Sequence, residues 1–314
     1  MRIDTALQPI RRILVGGPPA GGPGAVEVGA RLARRLGAEL RVVHVQQPHP
    51  LRERLGLGGD ATSARRPLLT DADVIHLAHR AGLRPNAYET ETLRGQPREV
   101  LVDEISRWQA DLLVIGAREQ GPRGVRLGSV AEHLIRQASC PVLVVNGRRP
   151  LPPRRVLFPV DLSDFALHSL ACGLNFLDQI TSADDSGSTR EALLAVPQEG
   201  DAANGRAAGA AALETWLEGA EVASTFEESA LAGEPAEVIV DQARAGSFDL
   251  VIMGTHGHGS HSFPRRGIGS VTGEVLDRAP CHLLIVPPKA EFGAELAAAV
   301  VAQTEPGFKT RQSP

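Results

Sequence analysis

The stretch Asp249-Leu250-Val251-Ile252-Met253-Gly254 is a continuous apolar run between an acidic residue and a glycine. The run lacks the alternation of a half-exposed strand and has the length of a strand that is buried on both faces. Such strands occur in parallel sheets that are covered by helices. Because the similar stretch Asp111-Leu112-Leu113-Val114-Ile115-Gly116 stands earlier in the chain, we predict that the fold is duplicated.

The duplication extends over most of the chain. Four further pairs of segments follow one another in the same order, at a period of about 140 residues. They are Arg11-Arg12-Ile13 with Arg154-Arg155-Val156, Gly95-Gln96-Pro97 with Gly233-Glu234-Pro235, Gly128-Ser129-Val130 with Gly269-Ser270-Val271, and Cys140-Pro141-Val142 with Cys281-His282-Leu283. A polar, proline-rich segment separates the copies and favours neither helix nor strand. We predict a first repeat at 1–147, a linker at 148–153, a second repeat at 154–288 and a C-terminal tail at 289–314.

Apolar runs and helical periodicity predict the elements of each repeat. Segments with apolar residues three and four apart predict helices at 25–36 and 100–108, and Thr70-Asp71-Ala72-Asp73 resembles a capping box. The alternation of strands and helices predicts two α/β repeats, each a doubly wound, mostly parallel five-stranded sheet with helices on both faces. The predicted strands are 13–15, 40–45, 112–115 and 142–145, and then 156–160, 192–196, 222–226, 250–253 and 283–286.

Composition restricts the class of protein. Hydrophobic residues make up 42% and charged residues 22% of the chain, as in ordinary globular proteins. No apolar run approaches the roughly 20 residues of a membrane span, and the N-terminal segment lacks the apolar core of a secretory signal. We therefore expect a cytoplasmic protein that binds no membrane.

The charge differs between the two halves of the chain. Residues 1–150 carry 22 arginines and 15 acids, whereas 151–314 carry 11 basic and 22 acidic residues. The arginines are dispersed and lack aromatic partners, so we expect attraction between the halves rather than nucleic-acid binding.

A glycine-rich pattern in the second half is typical of anion binding. Met253-Gly254-Thr255-His256-Gly257 ends a predicted strand, and Gly269-Ser270-Val271 opens a predicted helix after a loop. Glycines let the backbone approach phosphates closely, and a helix N-terminus supplies N–H donors at the carboxyl edge of a parallel sheet. The alternative is an ordinary turn in which Ser270 merely caps the helix. The spacing alone leaves both interpretations open.

The order of these motifs resembles the universal stress protein family. That family joins a first strand ending in Val-Asp, a fourth strand ending in Gly-Thr-His-Gly, a Gly-Ser-Val helix start and a last strand introduced by Pro-Cys. The resemblance covers nearly the whole chain in two copies, and it implies an adenine-nucleotide α-hydrolase-like, Rossmann-like fold. The matching residues are Phe158-Pro159-Val160-Asp161, Gly254-Thr255-His256-Gly257, Gly269-Ser270-Val271 and Ala279-Pro280-Cys281.

The resemblance implies an adenine-nucleotide site in the second repeat. Asp161 and the backbone at Pro159 and Val160 would meet the adenine or the ribose. The expected ligand is ATP, and Mg²⁺ accompanying it is the only metal ion expected. The segment 258–268 between the two glycine motifs is longer than in the family's nucleotide binders. The phosphates would be surrounded by the three glycines and by the start of the helix. These candidate residues are Gly254, Gly257, Gly269, Ser270 and Val271, and Met253 completes the predicted site.

The first repeat departs further from the family pattern. Gly17 or Pro18 falls where Asp161 falls in the second repeat, and Glu119 replaces the glycine equivalent to Gly257. A carboxylate at that position would repel a phosphate. We therefore interpret the first repeat as a degenerate copy with a structural role.

The sequence favours a binding protein over an enzyme. A possible metal site is suggested by the spacing of His256, His258 and His261. Because the loop contains no carboxylate or cysteine, we expect no metal site there. No Ser-His-Asp, Cys-His or paired-carboxylate arrangement is apparent, and no catalytic residue is assigned. A slow ATPase remains an alternative, although the chain has no Walker lysine and no evident water-activating base.

Two hypotheses of different classes follow. The first is a stress-response regulator that binds ATP in the second repeat. The second is a nucleotide-free stress module that acts as a dimerisation or protein-interaction scaffold, with a second copy or another protein as its partner. Under either hypothesis we expect the two repeats to pair within the chain about a pseudo-twofold axis, with strands 142–145 and 283–286 near the interface.

The differences between the repeats predict a stoichiometry of one ATP per chain. Gly17 or Pro18 supplies no carboxylate for the nucleoside, and Glu119 opposes the phosphates. Isothermal titration calorimetry measures the stoichiometry directly. Two equivalent sites per chain would show that the interpretation of the first repeat is wrong.

Overall fold

A computed structural model describes most of both repeats. The described residues are 9–16, 22–46, 71–84, 86–117, 128–147, 149–181, 188–197, 202–220, 225–257 and 268–288. Several predictions concern residues outside these ranges: the substituted positions Gly17, Pro18 and Glu119, the histidines His258 and His261, and Thr70 of the capping box.

Strands and helices alternate in the first repeat. The order is β1 (Arg12–Gly16), α1 (Gly22–Leu36), β2 (Glu39–Gln46), α2 (Asp71–Arg80), β3 (Tyr88–Arg94), α3 (Pro97–Trp108), β4 (Leu112–Gly116), α4 (Ser129–Gln137) and β5 (Val142–Val145).

The second repeat follows the same order. Its elements are β6 (Arg155–Val160), α5 (Asp164–Ile180), β7 (Thr189–Val196), α6 (Ala202–Gly219), β8 (Glu227–Ala232), α7 (Pro235–Ala245), β9 (Leu250–Gly254), α8 (Ser270–Arg278) and β10 (His282–Val286).

Within the described ranges, ten strands form one continuous sheet in the order β3-β2-β1-β4-β5-β10-β9-β6-β7-β8. Every pairing between these strands is parallel except that of β5 with β10, which is antiparallel. The predicted fold class is therefore confirmed. The antiparallel junction joins the repeats and turns the carboxyl edge of one toward the opposite side of the sheet from that of the other.

Helices cover both faces of the sheet, as predicted. Side chains from α1, α2, α5 and α6 pack on one face, and those from α3, α4, α7 and α8 pack on the other. Neighbouring strand residues alternate between the two cores, so that Leu14 packs on one face while Ile13 and Val15 pack on the other. This two-sided burial explains why the central strands are uninterrupted apolar runs.

The sequence pattern did not predict the two edge strands, β3 and β8, at their observed positions. β3 was not predicted, because its residues are polar; Arg41 of β2 forms ion pairs of 2.6 Å with Glu89 of β3 and with the buried Glu104 of α3. Of the strand predicted at 222–226, residues 222–224 lie outside the described residues, and the described strand β8 begins at Glu227. Phe226 instead packs its ring edge-on against Phe158, with 5.5 Å between centroids. An edge strand has one unpaired side, so polar residues are tolerated there.

An aspartate organises the start of the first strand in each repeat. Asp111 accepts hydrogen bonds from the backbone N–H groups of Arg11 (2.8 Å) and Arg12 (2.9 Å). Asp249 accepts the same bonds from Arg154 (2.9 Å) and Arg155 (3.2 Å). The acidic residue that opens each duplicated stretch thus fixes β1 beside β4 and β6 beside β9.

His282 connects the two repeats at the junction. Its side chain is buried, its Nδ1 accepts a hydrogen bond from the Asn146 backbone N–H at 3.0 Å, and its Nε2 lies 3.1 Å from the Arg149 carbonyl oxygen. An acceptor at Nδ1 and a donor at Nε2 require the neutral imidazole. The amide of Asn146 also donates to the Ala279 carbonyl at 2.7 Å, which adds a further bond across the junction.

The burial of His282 predicts that acid weakens the folded state. Burial lowers the pKa of His282, opposed by its bond to the Arg149 carbonyl and by Asp249, whereas the charges of Arg149 and Arg31 lower it further. Because the folded state then binds fewer protons than the unfolded state, this stabilisation is complete above the ordinary histidine pKa of about 6.5 and is lost as the pH falls below it. Urea unfolding at pH 7.5 and at pH 5.5 measures the difference.

His282→Gln removes the titrating ring, so it should reduce this pH dependence and cost about 1–3 kcal/mol at pH 7.5, since the Asn146 N–H loses its partner. His76→Gln, at an exposed helical histidine, is the matched control and should retain the dependence of the parent. Equal pH dependence in the parent and His282→Gln would contradict this account of the junction.

Candidate functional site

The candidate site lies where β6 and β9 separate at their carboxyl ends. The two strands pair at Val156↔Leu250 and Leu157↔Val251, and the pairing ends there. In the first repeat the equivalent pairing continues one pair further, to Val15↔Val114. In the second repeat, β7 and β8 lie on one side of this pair of strands and β10 lies on the other side. The strand order therefore reverses between β6 and β9, which is the switch point of the sheet. Ligands of open parallel sheets bind in the crevice at such a point.

Asp161 directly follows β6 at this crevice. Its Oδ1 accepts hydrogen bonds from the backbone N–H of Ser163 at 3.1 Å and from the Ser163 hydroxyl at 2.5 Å. Leu162, between them, has a positive φ of 61°. This local turn brings the Ser163 donors back onto the carboxylate of Asp161. The N-cap of α5 is Ser163, whose side chain accepts a hydrogen bond from the Ala166 N–H.

Gly257 follows β9 and lies against Asp161. A Cβ atom built on Gly257 would collide with Oδ2 of Asp161, so a side chain at this position would require one of the two residues to move. The φ of Gly257 lies outside the left-handed region, and a tight turn is therefore not the reason for glycine here. The requirement for glycine comes from the close approach of the carboxylate.

Backbone hydrogen bonds tie the end of β9 to the start of α8. The Thr255 N–H donates to the Val286 carbonyl at 3.1 Å, and the Gly269 N–H donates to the Thr255 carbonyl at 2.8 Å. The Thr272 hydroxyl donates to the Gly254 carbonyl at 2.9 Å. These contacts bring the two glycine motifs together although the chain between them is ten residues or more long.

The N-terminus of α8 has the features of an anion site. Gly269 is the N-cap, and no side chain of the described residues provides a cap hydrogen bond. Ser270 is exposed and Val271 half-buried, and the first intrahelical bond of the helix runs from the Gly273 N–H to the Gly269 carbonyl. The N–H groups that precede it, together with the positive end of the helix dipole, favour a negatively charged group.

The structure brings most of the predicted site residues together, but some of their side chains are buried. Asp161, Gly254, Gly257 and Gly269 surround the crevice through the contacts above. Val160 and Met253 are 8% and 6% exposed, so only their backbone is available to a ligand. The sequence analysis missed Ser163 and Thr272, whose hydroxyls hold the site. An Asp-x-Ser spacing before a helix was the available signal for Ser163.

His256 has its own packing role in this region. Its Nδ1 lies 2.9 Å from the Thr255 hydroxyl, and the centre of its ring is 6.5 Å from that of Phe165.

Among the described residues, no group of three His, Cys, Asp or Glu side chains is arranged to hold a metal ion. Nor does any helix in the described part of the chain combine the length and apolar character of a membrane span.

The contact of Gly257 with Asp161 predicts a coupled effect on stability. Gly257→Ala should lower the free energy of unfolding by about 1–3 kcal/mol, because the added methyl group overlaps the carboxylate. The same change in an Asp161→Ala background should cost clearly less, because the overlapping oxygen is gone. Urea unfolding of the four proteins measures the coupling. Gly205→Ala, where an added Cβ meets nothing within 4 Å, is the control, and equal costs of Gly257→Ala in both backgrounds would refute the contact.

Known proteins resemble the chain over one repeat or over both. A universal stress protein of Methanocaldococcus jannaschii is 46% identical over 58 residues, which make up 18% of this chain and 34% of that protein, so the chain spans about a third of that relative's length. A functionally unknown protein from Pseudomonas aeruginosa PAO1 has a solved structure with a TM-score of 0.67 and 18% identity, covering 95% of this chain and 98% of that one. This second likeness concerns the fold.

A structure of the universal stress protein from Archaeoglobus fulgidus, in complex with dAMP, resembles a single repeat at 20% identity and a TM-score of 0.29, covering 44% of this chain and 98% of that chain. The model of the universal stress protein family matches residues 9–146 and again residues 153–287. These two matches account for most of the chain and fall on the two halves of the continuous sheet. The chain belongs to the universal stress protein family and carries two tandem copies of its domain.

Proposed function

We propose that the chain is a stress-response regulator that binds an adenine nucleotide, ATP, at the carboxyl edge of the second repeat. One observation carries the proposal. Where β6 and β9 separate, the carboxylate of Asp161 lies against a glycine whose Cβ would fill its space. Beside it lies the N-terminus of α8, whose N-cap is a glycine without a side chain to cap the helix. A nucleoside phosphate has a hydroxyl-bearing part and an anionic part that suit these two features.

Each part of the proposed ligand has a chemical partner in the site. The carboxylate of Asp161 would accept a hydrogen bond from a ribose hydroxyl or from the adenine amino group. The N–H groups at Ser270 and Val271 would receive the phosphates, which a helix N-terminus favours. Gly254 and the N-cap Gly269 would let the phosphates approach the backbone, and Gly257 leaves room for the carboxylate of Asp161. The backbone at Pro159, Val160 and Met253 would line the base.

The ligand class follows the family resemblance, and Mg²⁺ would accompany ATP through the phosphates. We place the protein in the cytoplasm and assign it a binding role, with the first repeat as a structural copy. The repeat boundaries at 147 and 154 belong to the same proposal. A nucleotide-free scaffold is the second candidate, and the long segment 258–268 is the observation that favours it.

We expect Asp161→Ala to weaken ATP binding by about 1.5–3 kcal/mol, the value of a hydrogen bond to a charged group. Gly257→Glu should weaken it as well, because a second carboxylate would face the phosphates and displace Asp161. Calorimetric titration with ATP measures both affinities. Thermal unfolding run in parallel shows whether each variant remains folded.

Gly257→Ala is the matched control for Gly257→Glu, because it adds the Cβ overlap without the charge. A larger loss of affinity in the glutamate variant would isolate the electrostatic part. If the folded parent protein does not bind ATP, or if Asp161→Ala binds it as tightly as the parent does, the scaffold becomes the better explanation.

A further inference from the structure

The backbone N–H and the hydroxyl of Ser163 make three hydrogen bonds at the turn between β6 and α5. Its backbone N–H and its hydroxyl both donate to Oδ1 of Asp161, at 3.1 Å and 2.5 Å. Its hydroxyl oxygen also accepts from the Ala166 N–H at 3.2 Å. A serine hydroxyl has one donor and two acceptor positions, so the bond to Ala166 and the bond to Asp161 form together.

These bonds connect Asp161 to the N-terminus of a long helix. The Ala166 N–H polarises the Ser163 hydroxyl, which strengthens its donation to the carboxylate. Helix α5 is 17 residues long, and much of one side of it is buried against the sheet. The anchor of the carboxylate is therefore a rigid element rather than a loop.

The same bonds determine how the carboxylate is turned. Both donors of Ser163 lie on Oδ1, and Oδ2 is the oxygen that faces Gly257. Without the hydroxyl, one of the two bonds that Ser163 makes to Oδ1 is lost, which weakens the hold of Ser163 on this orientation. An ordinary N-cap would need only the bond from Ala166, so the 2.5 Å bond to Asp161 indicates a second role.

We propose that Ser163 is a positioning residue that presents Oδ2 of Asp161 at the Gly257 side of the crevice for the nucleoside of the ligand. This inference rests on the proposed function. Ser163 itself is not expected to touch the ligand, and its effect on affinity should pass entirely through Asp161.

A double-mutant cycle with ATP tests the inference. Ser163→Ala should weaken ATP binding about three- to tenfold in the parent protein, and should leave affinity unchanged in an Asp161→Ala background. Ser163→Thr retains the hydroxyl and the cap, so it should restore affinity to within about twofold of the parent. Urea unfolding of the same proteins, without ligand, measures the coupling between Ser163 and Asp161 independently of binding.

The outcomes separate this inference from the proposed function. A parent protein that does not bind ATP overturns both. If the parent binds and Ser163→Ala lowers only the stability, Ser163 is a helix cap alone and the proposed function stands. If Ser163→Ala weakens binding equally in both backgrounds, Ser163 acts on the ligand directly and the positioning role is wrong. The positioning role is supported if Ser163→Ala weakens ATP binding only in the protein that retains Asp161, and if Ser163→Thr restores the affinity.

Discussion

The antiparallel pairing of β5 with β10 runs through Val144↔Leu283, Leu143↔Leu284 and Val142↔Ile285. Each strand is buried and is also the last strand of its repeat, so unpaired it would expose an apolar edge and a row of unsatisfied backbone groups. Pairing the two edges removes this cost inside one chain. It also places the carboxyl ends of the parallel strands of the two repeats at opposite edges of the sheet.

The central strands were predictable because their physical constraints leave a sequence signal. Burial on both faces requires apolar runs, and the hydrogen bonds of Asp111 and Asp249 to the start of the first strand require an acid before each run. The two constraints recur in both repeats, so the repeat itself was visible. The edge strands β3 and β8 obey neither constraint. The charges of β3 are explained by Arg41 on the neighbouring strand, a partner far away in the sequence.

The candidate site was only partly predictable for a similar reason. Asp161, Gly257 and Gly269 stand in recognisable motifs, and the sheet topology brings the ends of β6 and β9 together. What the motifs do not contain is the contact between them. Sequence reasoning treated Gly257 as a place where a phosphate approaches the backbone, whereas in the structure a carboxylate oxygen of Asp161 occupies the space of a Cβ atom on Gly257. The bond of the Ser163 hydroxyl to Asp161 likewise depends on the positive φ of Leu162.

This contact makes the two positions of the second repeat depend on each other in one direction. A side chain at Gly257 overlaps the carboxylate of Asp161, so Gly257 cannot change alone without strain, whereas loss of the carboxylate creates no overlap. The first repeat has Gly17 or Pro18 in place of the aspartate and Glu119 in place of the glycine. In the second repeat, a side chain at position 257 would meet no such overlap if the carboxylate of Asp161 were removed. The sequence of the first repeat has neither the aspartate nor the glycine, which agrees with this dependence.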